Sequence, residues 1–259
     1  MSSESFENRF GGTRRLYGHQ AVNTLFQAHI CVIGIGGVGS WAAEALARTA
    51  VGTITLIDLD DICVTNTNRQ LHATRDTIGQ SKVAVMAQRI SAINPECRVL
   101  VIDDFISPET MGELITPAFD YVIDAIDNFR VKAALIAHCK YNKIKIITTG
   151  GAGGQMDPTQ IQITDLTKTW HDPLARKVRN QLRDQHGFNK NTKRKFGVDC
   201  VFSTEQAVYP HPDGSICQQK PATGGSMAMD CASGFGASTM VTATFGFVAA
   251  ARVVKKLTQ

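Results

Sequence analysis

The ten residues from Ile30 to Gly39, Ile-Cys-Val-Ile-Gly-Ile-Gly-Gly-Val-Gly, constrain the fold more than any other stretch of the chain. A short apolar run ending in closely spaced glycines predicts a strand that turns sharply into a helix, and Ser40 to Ala50, rich in Ala, Leu and Glu, reads as that helix. Gly34, Gly36 and Gly39 follow the spacing G-x-G-x-x-G, which lets the backbone turn tightly, approach a phosphate and pack the helix on the sheet. Backbone N–H groups at the helix start then face an anion. The turn alone suits hydride-transfer enzymes, methyl transferases and adenylating enzymes alike, and it can also be purely structural. Asp58 narrows the choice. It lies at the end of a second strand-like run, Thr53 to Leu59, near the roughly 20-residue offset at which a carboxylate meets ribose hydroxyls. A nucleoside is the expected ligand.

A chain of 259 residues, 43% hydrophobic, can bury one large core, and its net charge of +4 points to no partner by itself. None of its seven cysteines forms a C-x-x-C pair, which excludes a thiolate zinc knuckle and a thioredoxin-type redox pair. Their odd number, with Cys31 and Cys139 inside apolar patterns, reads as reduced thiols in a cytoplasmic protein. The polar N-terminus carries no apolar signal segment, so secretion is not expected.

The opening segment, Arg9 to Gly18, is basic and glycine-bearing. It reads either as a solvated surface arm or as the carrier of a phosphate-binding arginine, Arg15 or Arg14, acting in this or a neighbouring subunit. A short helical pattern follows, with Val22, Leu25 and Phe26 on one face. After the second strand, the polar run Asp60 to Gln70 lies beyond a carboxyl strand end, where ligands sit in open parallel sheets. Asn66 and Arg69 are therefore placed to touch a triphosphate. Lys82 opens the helical stretch Ser81 to Ile93, where a lysine opposes the helix dipole, and an anionic ligand would account for it.

Arg98 to Asp103 reads as a third strand, Pro108 to Ile115 as a short helix, and Phe119 to Ile126 as a fourth strand ending in Asp124-Ala-Ile-Asp127-Asn128. Aspartates at such a position often cap the next helix, here Asn128 to Asn142. With a phosphate-binding turn and Lys82 on the same side of the sheet, Asp127 is also a magnesium carboxylate candidate, because Mg²⁺ in nucleotide sites takes one or two carboxylates plus phosphate oxygens. A fifth strand, Ile144 to Thr149, closes in Gly150-Gly-Ala-Gly-Gly154, a second place for backbone to pass close to a ligand or a monovalent cation (Na⁺ or K⁺). The alternation specifies an α/β fold, a Rossmann-like, mostly parallel sheet with helices on both faces.

The second half differs. Thr159 to Thr164 and Val201 to Val208 alternate like antiparallel strands. Between them, Lys168 to Lys195 carries nine basic residues against only Asp172 and Asp184, so the positive charge of the chain is concentrated here. Such a run is either a solvated helix face with a loop or a surface for a polyanion, and Trp170, His186 and Phe188 among the charges are of the types that stack on unpaired bases. Cys231 to Ala251 holds no charged residue and is long enough to cross a bilayer, but its Gly, Ser, Thr and Ala content favours a buried helix with Met240, Val241, Phe245 and Val248 on its greasier face.

Taken together, Gly34 to Gly39, Asp58, Asn66 with Arg69-Gln70, Gly79 followed by Lys82, and Asp124-Ala-Ile-Asp127-Asn128 resemble the ubiquitin-activating-enzyme-like family, which includes the adenylating enzymes of molybdopterin and thiamine synthesis. The resemblance implies an ATP site on Gly34, Gly36, Gly37, Gly39, Asp58, Asn66, Arg69, Gln70, Lys82, Asp127 and Asn128. In it Asp58 would hold ribose, Asn66, Arg69 and Lys82 phosphates, and Asp127 magnesium. The missing C-x-x-C pairs depart from the members that activate sulfur carriers, and the arm lacks the usual Arg-Gln pair, which leaves the trans-acting arginine unassigned. Arg9-Phe-Gly-Gly-Thr13, Leu16-Tyr-Gly18 and Met229 to Gly236 look instead like the tRNA threonylcarbamoyladenosine dehydratase branch. That branch implies an ATP-dependent cyclisation of the modified adenosine in tRNA, a homodimer, and a cysteine-desulfurase or sulfur-acceptor protein as a further partner. Cys231 is a candidate for a transient thioester, although ring closure needs no enzyme nucleophile. The expected organisation is one domain over 1–259, with a nucleotide-binding half to about 155 and a substrate-binding extension from about 156. The alternative within the family is activation of a ubiquitin-like sulfur-carrier C-terminus. A NAD-dependent oxidoreductase or nucleotide-sensing module is disfavoured by Arg69, Lys82 and Asp127.

Overall fold

Alternating strand and helix patterns become a layered α/β structure because each strand buries side chains on both faces. The computed structural model describes residues 4–211, 213–218 and 235–259. Helices α1 (Glu4–Tyr17) and α2 (His19–Gln27) lead into β1 (His29–Ile33), α3 (Gly39–Ala47), β2 (Thr53–Ile57), α4 (Lys82–Ile93) and β3 (Arg98–Ile102). There follow α5 (Met111–Leu114), β4 (Tyr121–Asp124), α6 (Phe129–Tyr141), β5 (Ile146–Thr149), β6 (Ile161–Asp165), α7 (Pro173–Gln185) and β7 (Asp199–Ser203). A short hairpin, β8 (Tyr209–Pro210) and β9 (Ile216–Cys217), precedes the last helix, α8 (Thr239–Thr258).

The sheet order is β3-β2-β1-β4-β5-β7-β6. All pairings are parallel except β6 with β7. The antiparallel pair expected from alternation is therefore present, and β7 also extends the parallel sheet through β5. Side chains along β1 divide between two cores: Ile30 and Val32 pack with α3, α4 and α8, while Cys31 and Ile33 pack with α6 and α7. This period-two division explains why β1 is apolar throughout.

Three regions take forms that the residues alone left open. The basic N-terminal segment is helical despite Gly11 and Gly12, because Phe6 and Phe10 form a small core with Val22 and Ala50 that outweighs the helix cost of about 1 kcal/mol per glycine. The basic run includes α7, capped by Asp172 and burying Leu174, Ala175, Val178 and Leu182, so Arg176 and Lys177 lie on the solvent side of an amphipathic helix, while Arg179 and Arg183 are half-buried, Arg179 donating to Thr169 Oγ1 and Arg183 lying over the Phe196 ring. Its aromatics are partly committed to packing: Trp170 meets Phe202, and Phe188 meets Tyr141 and Phe196. The uncharged C-terminal stretch forms α8, which buries Val241 and Phe245 but leaves Met240 exposed. Gly246 lets α8 approach α3, since a Cβ there would lie 2.5 Å from the Val38 carbonyl oxygen. Among the described residues no helix is long and apolar enough to cross a membrane.

Candidate active site

Strand order reverses between β1 and β4, and in an open parallel sheet that switch point opens a crevice beyond the carboxyl ends of the strands. The loops that follow these two strands are those carrying the glycine turn and Asp127. They touch: Gly34, at φ +84°, has no room for a Cβ against the Ala125 carbonyl oxygen (2.9 Å), and a Cβ on Gly39 would lie 1.9 Å from the Gly34 oxygen. Gly34 and Gly39 are thus required by close backbone approach before any ligand is considered.

Asp58 follows β2 and reaches into the turn. Its Oδ2 accepts from the Ile35 N–H at 2.5 Å and its Oδ1 from the Asp60 N–H at 2.9 Å. Burial raises the Asp58 pKa, opposed by these bonds and by the charge of Lys82. Lys82 is 5% exposed and donates to Asp60 Oδ2 at 2.7 Å. A protein carboxylate therefore already offsets the lysine that opens α4, and its position there does not by itself require an anionic ligand. Since the Asp60 side chain is 61% exposed, this pair borders solvent at the mouth of the crevice.

The loop after β2 folds back over the turn. Asn66 is buried and closes a 3-10 turn by accepting from the Cys63 N–H, while its carbonyl accepts from the N–H groups of Arg69 and Gln70. This sets Arg69 against Gly37, where a Cβ would meet its Cγ at 3.3 Å, and Gln70 against Gly36. The Arg69 carbonyl accepts from Trp41 Nε1 at 3.1 Å and Thr242 Oγ1 at 3.4 Å, so α3 and α8 together clamp the loop. The Arg69 guanidinium donates to the Thr65 carbonyl and Asn68 Oδ1.

The two aspartates after β4 separate in role. Asp124 is fully buried; Oδ1 pairs with Lys132 Nζ at 2.9 Å and accepts from the Ile126 N–H, and Oδ2 accepts from Thr148 Oγ1 at 2.7 Å. Asn128 caps α6 by accepting from the N–H groups of Arg130 and Val131. Asp127 between them is exposed and makes no hydrogen bond or ion pair among the described residues. The capping role open to Asp127 thus falls to Asn128. A free carboxylate beside a glycine turn fits a hard divalent cation that completes its shell with phosphate oxygens; among the described residues no group of three or more His, Cys, Asp and Glu forms a metal cage.

Other expected residues lie elsewhere. Arg15 is exposed on α1 without a hydrogen bond or ion pair among the described residues, while Arg14 pairs with Glu7. Cys231 and most of Met229 to Gly236 fall outside the described residues. The glycine-rich segment after β5 approaches protein: a Cβ on Gly150 would lie 1.7 Å from Asp172 Oδ2, and the Gly154 carbonyl accepts from the Val208 N–H.

Asp60, Trp41, Thr242 and His72 belong to the site although sequence reasoning did not single them out. Asp60, two residues after Asp58, had a usable signal in its spacing; the others meet the loop only through tertiary packing. His72 is buried, its Nε2 donates to the Ile35 carbonyl at 2.9 Å, and its Nδ1, like Gln70 Oε1, has no partner among the described residues. Burial lowers the His72 pKa from 6.5 to about 4, with the Lys82 charge acting in the same direction. The imidazole stays neutral in the fold while the unfolded chain takes up the proton, so its contribution is intact above pH 6.5 and is lost progressively as pH falls towards 4. The full loss is about 3 kcal/mol. Urea unfolding between these pH values is expected to show the decline, and His72→Gln to flatten it; an unchanged slope in the variant would assign the decline to other groups.

The chain belongs to the ThiF family, whose model matches residues 12–259. Within that family it falls in the tRNA threonylcarbamoyladenosine dehydratase branch. It is 62% identical to the Escherichia coli K12 tRNA threonylcarbamoyladenosine dehydratase over 255 residues, 98% of this chain and 95% of the relative. It is 58% identical to the Haemophilus influenzae protein of the same name over 254 residues, with 98% and 95% covered. The structure of E. coli tRNA N6-threonylcarbamoyladenosine dehydratase in complex with ATP is similar at a TM-score of 0.89 and 58% identity, covering 99% of this chain and 96% of that one.

Proposed function

We propose that this chain is an ATP-dependent dehydratase that adenylates the threonyl carboxylate of N6-threonylcarbamoyladenosine in tRNA and closes it to the hydantoin-type ring. The observation that carries the reading is the Asp127 carboxylate at the switch point, without a partner among the described residues, beside a glycine turn overlaid by Arg69 and flanked by Asp58 and Lys82. The names of the relatives, and the ATP complex of one of them, support it.

In this reading the N–H groups of the turn at Gly36, Gly37 and Gly39 receive phosphates, while Gly34, whose own N–H donates to the Ile57 carbonyl, shapes the turn, and the remaining lone pairs of Asp58 accept from ribose hydroxyls. Arg69 and Lys82 offset the charge of the triphosphate, Lys82 exchanging its contact with solvent-bordering Asp60; Asn66 and Gln70 hold the loop that carries Arg69. Asp127 would hold magnesium, with Asn128 fixing the start of α6 beside it, and the bound ion would supply further neutralisation of phosphate charge. A threonyl carboxylate oxygen attacks the α-phosphorus and pyrophosphate leaves. The carbamoyl nitrogen then attacks the activated carboxyl carbon, loses its proton, and AMP departs, so the nucleoside loses the elements of water. Ring closure is intramolecular and gains the advantage of proximity, so Cys231 is not required for it.

We assign nucleotide binding mainly to the half up to about residue 155 and substrate binding mainly to the extension from about 156 to 259. A homodimer in which Arg15 reaches the neighbouring site, a sulfur-acceptor partner and a cytoplasmic location belong to the same proposal. Incubation with ATP, Mg²⁺ and threonylcarbamoylated tRNA is expected to release pyrophosphate and to lower the nucleoside mass by one water. Binding of ATP with no mass loss would reject the assignment.

A further inference from the structure

The end of the sheet opposite the glycine turn carries a second concentration of charge. A cleft of about 310 Å³ opens where β4 and β5 begin, lined by Lys140, Lys143 and Lys145 together with Tyr121 and Gly197. The three lysines come from the last turn of α6 and the connection into β5, and all are exposed. Lys140 Nζ donates to the Gly197 carbonyl at 3.2 Å, and a Cβ on Gly197 would lie 3.2 Å from that nitrogen. The contact joins the cleft to the loop that ends the basic run, in which Lys190, Lys193, Arg194 and Lys195 are also exposed. Residues from two distant stretches of sequence thereby form one positive surface.

Among the described residues none of these seven side chains forms an ion pair. The nearby acids are engaged elsewhere. Asp165 accepts from the N–H groups of Phe196, Gly197 and Val198, Asp199 pairs with Arg252, and Asp120 accepts from the His29 N–H. A cluster of like charges without an ion-pair partner among the described residues raises the free energy of the isolated protein, and a repeating anion relieves it. Lysines presented by several segments are flexible point charges, suited to a line of phosphates more than to one planar group.

We infer that this surface binds the phosphodiester backbone of RNA, away from the nucleoside that enters the glycine-turn site. The inference rests on the tRNA reading proposed above and adds where the body of the RNA lies. β4 and β5 are four residues long, so their far ends lie roughly 13 Å or more from the site, well within the span of a folded RNA.

The test compares the wild type with the triple variant Lys140→Gln/Lys143→Gln/Lys145→Gln and the corresponding triple Lys→Arg variant. Fluorescence anisotropy with labelled tRNA is read across a salt series. The Gln variant is expected to lose on the order of tenfold in affinity near physiological salt and to have a log K against log salt slope smaller by about 2–3. Its KM for tRNA rises, while kcat at saturating tRNA and ATP affinity stay at wild-type values, and the Arg variant restores binding. An unchanged slope and KM in the Gln variant would overturn the inference, as would displacement of the RNA by inorganic phosphate at constant ionic strength, which marks a site for a single ion. A wild type that binds tRNA with this lysine dependence but never dehydrates it would sink the proposed reaction and leave the surface standing.

Discussion

Asp127→Asn is expected to lower ATP-dependent turnover by roughly 10²–10³-fold while leaving the melting temperature unchanged. The two readouts separate because of where the residue sits. Asp127 is exposed and its side chain has no partner among the described residues, so its removal breaks nothing that holds the fold. Surface changes of that kind usually alter stability by less than about 0.5 kcal/mol. The substitution nevertheless removes the one uncommitted carboxylate of the loop after β4, and with it the anionic anchor proposed for magnesium. Pyrophosphate release and a thermal melt on the same preparation check both halves. Turnover within a fewfold of wild type would take Asp127 out of the site.

The largest expected effect on stability lies three residues upstream. Asp124 and Lys132 are both buried, and the pair is completed by Thr148, the Ile126 N–H and the Asp124 carbonyl. Lys132→Met keeps the apolar volume but leaves a carboxylate in the interior without its cation, at a cost of about 3–5 kcal/mol. The double variant Lys132→Met/Asp124→Leu removes both charges and is expected to recover part of that loss, because the coupled pair is not additive. Urea unfolding of the two variants and wild type is the measurement. A loss below about 1 kcal/mol in Lys132→Met would mean that the pair contributes little to holding the β4 end. The same pair shapes the backbone that presents Asp127, so the single variant is expected to lose turnover as well, in proportion to its unfolded fraction.

The parallel half of the fold was legible because its signals are local. Apolar strand runs, the glycine turn, Ser81 before α4 and Asn128 before α6 each specify an element from adjacent residues, and the helix ends fall where Asn94-Pro95 and Asn142 predict. The N-terminal helix was less legible, since Gly11 and Gly12 speak against it and the packing of Phe6 and Phe10 that secures it involves residues from other elements. The basic run shows both outcomes at once. Its composition identified a charge concentration, but only the fold turned α7 inward on one side and joined the loop after it to lysines near position 143.

Local patterns of residues specify the order of elements, the phosphate-type turn and the kinds of side chain gathered around it, since these depend on positions a few residues apart. Tertiary structure alone decided which acid is spent and which remains free. Asp124 and Asp127 are the same residue type at one strand end, and a lysine on α6 with a threonine on β5 commits the first to the interior. It likewise gave Lys82 a partner in Asp60 and placed Thr242 of α8 on the Arg69 carbonyl. The physical reason is that a buried charge must find its partners wherever packing brings them, and those partners lie at sequence distances that carry no periodic or spacing signal.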